Sequence, residues 1–117
     1  MAQFILMYVN GPSPAPPRLA PEEMQRVVGE YIAWAEKMGA EGRMVGGARL
    51  TDVYSDPGRV CTGNGADFVV TDGPLAETKE VVGGYAVIEA ADYAEAASLC
   101  REHPAARNGK IVIRQLF

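Results

Sequence analysis

The chain has 117 residues, 48% of them hydrophobic, with 11 basic against 15 acidic side chains and a formal charge of −4. That length suits a single domain over residues 1–117 with ample apolar content for a core, and the scattered basic residues exclude the clustered cationic footprint of a nucleic-acid binder. Cys61 and Cys100 fall in no metal-like spacing and sit in apolar sequence, so they read as buried thiols, and with His103 as the one histidine no metal site is expected.

Phe4 to Val9 is a continuous apolar run closed by Asn10-Gly11, which predicts an interior strand. The residues before it lack the positively charged leader of a secretory signal, and the run is far shorter than the ~20 residues of a membrane span. A cytoplasmic protein with no membrane partner is the expectation. Pro12, Pro14, Pro16 and Pro17 then make a donor-poor loop, either a connector or a cover over a neighbouring cavity. Pro21-Glu22-Glu23 opens a helix, since proline is tolerated at its first position and acids suit its positive end. Met24, Val27, Val28, Tyr31, Trp34, Ala35 and Met38 recur at helical spacing and form one apolar stripe, and Gly39 supplies the stop.

Arg43 to Leu50 reads as an extended segment with a bulge at Gly46-Gly47. Asp56-Pro57-Gly58 turns the chain, and Val60–Thr62 meets Phe68–Val70 across Asn64-Gly65, a hairpin signal. Asp72 stands at the tip of that second strand, followed by a charged loop with Glu77, Lys79 and Glu80. Gly83-Gly84 would let a backbone or a ligand come close, and Tyr85–Ile88 is a buried-type strand. Asp92 with Glu95 caps a second helix that runs through Ala94, Ala96 and Ala97 and ends by Pro104. Asn108-Gly109 turns into a last strand, Lys110 to Phe117.

This order predicts an α+β fold with two helices on one face of a mostly antiparallel sheet. With no third helix to cover the other face, a second copy of the chain is the expected cover, and two facing sheets close a barrel around a cavity.

Asp72-Gly73-Pro74, then Ala76-Glu77-Thr78-Lys79-Glu80, then Gly83-Gly84-Tyr85 resemble the signature of the DGPF-motif branch of the YCII-related family. The resemblance runs from Phe4–Val9 through Gly42–Leu50 to His103-Pro104 and Ile111–Phe117, and departs at Leu75, where the branch name expects phenylalanine. It implies a ferredoxin-like protomer forming a dimeric α+β barrel, no settled activity, and in some members a link to sigma factors of the extracytoplasmic-function type. Relatives similar to the shorter YCII type carry a proposed catalytic histidine in the first helix, where this chain has Tyr31.

His103 is the one side chain with an unperturbed pKa near neutrality and so the first candidate for proton transfer; the competing assignment is a helix cap, where carbonyl charge would favour the imidazolium form. Asp72 could orient it or act as a base, against a plain turn role. A His–Asp pair with no nucleophile points to isomerase- or lyase-like acid/base work rather than acyl transfer. Tyr31, Arg49, Glu77, Lys79 and Tyr85 are candidates for holding a ligand, with core packing or surface ion pairing as the alternatives. The glycine pairs lack the strand-to-helix context of a phosphate loop, so no cofactor is expected. Two functions compete: a homodimer that binds a small molecule and transfers a proton without a cofactor, and a non-enzymatic accessory module that meets a protein such as a sigma factor. Cofactor-free oxygenation has only fold analogy behind it.

Overall fold

A computed structural model of the chain describes residues 1–10, 20–50, 56, 58–72 and 81–117. The strands are β1 (Ala2–Asn10), β2 (Met44–Arg49), β3 (Arg59–Thr62), β4 (Val69–Asp72), β5 (Val81–Ala90) and β6 (Gly109–Gln115). The α-helices are α1 (Pro21–Ala40), α2 (Tyr93–Leu99) and α3 (Ala105–Asn108). The proline-rich loop and the charged loop carrying Glu77 and Lys79 lie outside the described residues.

β1 sits inside a four-stranded sheet of order β2-β5-β1-β6, and every pairing is antiparallel. This mixed α+β arrangement is consistent with a ferredoxin-like fold. Alternation along β1 and β5 sends Phe4, Leu6, Ala86, Ile88 and Ala90 to one face, where they form the core with Trp34 and Met38 of α1, Ala96 of α2 and Cys100. Fully burying each of the largest of these, Phe4, Leu6, Met38 and Ile88, contributes roughly 1.5–3 kcal/mol. Trp34 ties α1 to the end of α2, its Nε1 donating to the Leu99 carbonyl at 2.8 Å.

The ends of α1 follow from local chemistry. Pro21 opens it as expected, but the helix passes through Gly39, and the stop is Gly42 at φ +72°. Gly42 N–H donates to Gly39 O at 3.0 Å and Arg43 N–H to Met38 O at 2.9 Å, the paired bonds of a Schellman closure that needs a left-handed residue. Asp92 caps α2 by accepting from the Glu95 N–H at 2.8 Å, while Glu95 reaches back to the Ala91 N–H at 3.1 Å and holds Arg43 at 2.6 Å. The Arg43 bond, first, and the Ala91 bond both hold the Glu95 carboxyl below its ordinary range.

Three expectations need correction. A third, one-turn helix, α3, follows Pro104, because α2 stops at Leu99 and the chain re-enters helical geometry past the proline. The β3–β4 connection is not a two-residue Asn-Gly turn: Asn64 is extended at φ −149°, so the type I′ geometry cannot form, and residues 63–68 instead make a loop with a 3-10 turn over Gly65–Asp67. Cys61 is exposed on β3, and only Cys100 is buried.

The bulge expected at Gly46-Gly47 is present between Met44 and Gly46. A Cβ on Gly47 would stand 2.7 Å from the Tyr85 carbonyl oxygen and 3.0 Å from the Ala86 Cα. Gly47→Ala should therefore cost about 1–3 kcal/mol, read as a fall in the urea midpoint at unchanged slope; an unshifted midpoint would refute the close approach.

The face of the sheet away from the core carries Ile5, Met7, Tyr85, Val87 and Val112, with Met7 paired between Tyr85 and Val112. α1 and α2 supply core residues on the other side, and no described helix covers this face. β3 and β4 form a separate two-stranded sheet with exposed Phe68, Val69 and Val70.

Candidate functional site

The helix-covered face ends in a row that is polar rather than apolar. On β1 the alternation Phe4, Leu6, Tyr8 places a phenol where the apolar stripe gives out, and Tyr8 pairs with Gly84, which in turn pairs with Arg49. Tyr8 and Arg49 thus flank a glycine, their backbones two strand spacings or about 10 Å apart. Gly84 matters sterically, since its missing Cβ would lie 3.2 Å from the Tyr8 ring and 3.1 Å from the Ala48 carbonyl oxygen.

α1 brings Tyr31 and Trp34, one turn apart, over the same end of the sheet, and the segment after α2 brings His103 beneath them. His103 is 2% exposed, the one buried polar residue among those described. Its ring lies 4.4 Å from Tyr8, 4.6 Å from Trp34 and 4.9 Å from Tyr31, and the two tyrosine rings are 6.0 Å apart. His103 Nδ1 accepts the Ala105 N–H at 3.0 Å, which satisfies the start of α3 and leaves the ring proton on Nε2.

Electrostatics follow from this enclosure. Burial pushes the His103 pKa down to about 4, so at neutral pH the ring is uncharged, opposite to the imidazolium expected from a helix end. Burial, and then the neighbouring Tyr31 and Cys100, raise the Tyr8 phenol, and burial raises the Cys100 thiol to about 11. Burial also raises Tyr31, against the pull of the Arg49 positive charge. The set therefore presents protonated phenols, a guanidinium and a neutral imidazole N–H: hydrogen-bond donors that can orient an electron-rich group.

The expected site residues fall into separate groups. His103, Tyr31 and Arg49 are brought together. Asp72 lies on β4 with its side chain 87% exposed, 3.6 Å from Arg59. Tyr85 points away from the core, paired with Met7 and Ala48 on the uncovered face, so the expectation that it faces the core does not hold. Glu77 and Lys79 are outside the described residues. Tyr8 is the member that sequence reading missed; its signal was a hydroxyl-bearing ring at the end of a period-two apolar stripe. Arg107, one of the scattered basic residues, pairs with Glu30 of α1.

Two cavities lie elsewhere: about 110 Å³ between α1 and α2 near Trp34 and Leu99, and an open groove of about 400 Å³ along β6 near Cys100, Lys110 and Ile113. No cluster of three or more His, Cys, Asp or Glu side chains that could hold a metal occurs among the described residues. No described helix is long and apolar enough to cross a membrane. Among curated proteins, none matches the chain. A family model described as the YCII-related domain matches residues 2–117, and the chain belongs to the YCII-related family.

Proposed function

We propose that this YCII-related protein, of the DGPF-type branch, is a small-molecule-binding homodimer of the α+β-barrel kind. Its ligand lies at the Tyr8–Gly84–Arg49 row, and the Nε2–H of His103 donates a hydrogen bond to the oxygen that gains charge as the ligand exchanges a proton with water, without a cofactor. The observation that carries the reading is the convergence of two phenols, a guanidinium and a buried imidazole at one end of the sheet, where Gly84 lets the Tyr8 ring pack down. A set of donors gathered at one end of the sheet suits orientation of a carbonyl or enolate oxygen. His103 acts through Nε2 as a donor, since its other nitrogen is engaged by the backbone. Asp72, exposed on β4 beside Arg59, stands apart from these rings and takes no part in this reading. Pairing of two copies through Ile5, Met7, Tyr85, Val87 and Val112 would remove that apolar surface from water.

One observation favours a second reading, an accessory module acting with a protein partner such as a sigma factor. The β3–β4 hairpin stands apart from the main sheet and exposes Phe68, Val69 and Val70 at 50–54%, rimmed by Arg59, Asp67 and Asp72. Two strands alone are marginal in water, and such a patch suits a partner.

Amide shift mapping with small aromatic and lactone fragments separates the two. Saturable shifts at Tyr8, Gly84 and Arg49 are expected. Shifts confined to residues 59–72 would move the weight to the second reading, and fragments that bind and perturb neither region would remove the proposed site.

A further inference from the structure

The donor set at the Tyr8–Gly84–Arg49 row also specifies the charge of what it holds. Arg49 offers five N–H donors and no acceptor, and among the described residues no carboxylate is paired with it. Its guanidinium lies close enough to the Tyr31 phenol to act on it electrostatically. Tyr31 and Tyr8 are each other's ring neighbours at 6.0 Å with planes at 71°, so both phenols belong to one enclosure. The acceptor nitrogen of His103, which could have served a cationic or donor ligand, is spent on the Ala105 N–H. Arg49 is exposed while Tyr8 and Tyr31 are half-buried, so the row opens to solvent at its cationic end and closes among rings at the other. Among the described residues, a chain of net charge −4 thus presents at this mouth a cation with no carboxylate paired to it.

We propose that the ligand is a small flat organic anion, a carboxylate or an enolate, its charged oxygens held by Arg49 with the Tyr31 and Tyr8 hydroxyls and its body lying against the tyrosine rings. This rests on the row being a ligand site at all. Charge-assisted bonds from a guanidinium are about twice as strong as neutral ones, and a planar body meets the tyrosine faces at little entropic cost.

Benzoate and benzamide share ring and shape and differ in charge, so they test the inference. Titrated into labelled protein at low salt, benzoate should shift the Tyr8, Gly84 and Arg49 amides with at least about tenfold tighter binding than benzamide. Arg49→Gln, at an exposed position, should abolish that difference while leaving the amide spectrum elsewhere intact, and Tyr31→Phe should weaken benzoate more than benzamide. Equal affinities at these amides, untouched by Arg49→Gln, would overturn the anion assignment and leave the ligand site standing. Failure of both probes to move these amides would overturn both.

Discussion

Replacing His103 by leucine should remove the loss of stability that burial of a neutral imidazole predicts for the wild-type chain between neutrality and pH 5. The sign follows from burial. The folded-state pKa lies at about 4, below the ordinary value of 6.5, so between these limits the unfolded chain binds a proton that the folded chain refuses. Stability from this group is therefore fully present above about pH 6.5, falls as pH drops towards 4, and levels off below that. Between pH 7.5 and pH 5 the loss amounts to about 2 kcal/mol, and urea midpoints of wild type and His103→Leu measured at both values should differ in their pH response by that amount. Carboxylates titrate in both proteins and cancel in the comparison. Both His103→Leu and His103→Ala strip the Ala105 N–H of its acceptor, and His103→Ala should be costlier at every pH, by about 2–4 kcal/mol, because it also leaves a cavity among Tyr8, Tyr31 and Trp34. Identical pH responses in wild type and His103→Leu would mean that the imidazole is not held neutral.

Met7→Glu should have the second large effect. Met7 lies on β1 between Tyr85 and Val112, in the middle of the sheet face that no described helix covers. If a second copy covers that face, a carboxylate there is taken out of water without a partner, which costs several kcal/mol, and the dimer should dissociate at concentrations where the wild type stays paired. Gln3→Glu, at the exposed end of the same face, should change the assembly little. A Met7→Glu protein with wild-type mass and midpoint in solution would show that this face stays wet.

Much of the fold was legible because it rests on local rules. The continuous apolar run Phe4–Val9 gave an interior strand, and the stripe through Val27, Tyr31, Trp34 and Met38 and the Asp92–Glu95 cap gave the right helices. What was missed depends on backbone angles and turn geometry. Gly39 and Gly42 are equivalent as letters, and only the Schellman bonds decide which one turns left-handed. Asn64-Gly65 reads as a tight hairpin until Gly63 takes the positive φ and Asn64 stays extended. Tyr85 looks like a core aromatic in a strong apolar run, and a single-residue register decides that Gly84 and Ala86 face the helices instead. For the candidate site, residue type pointed to His103, Tyr31 and Arg49. Tyr8 escaped notice because its role comes from strand pairing across Gly84, which sequence spacing does not encode.

The proposed reading gives the sheet two faces with two tasks: the helices would shelter a donor-lined site on one side, and a second copy would cover the apolar side. Sedimentation velocity on the wild-type chain at low micromolar concentration tests it most directly. A single folded species of twice the chain mass is expected, giving way to the protomer in Met7→Glu. A stable, fully folded protomer at that concentration would contradict it.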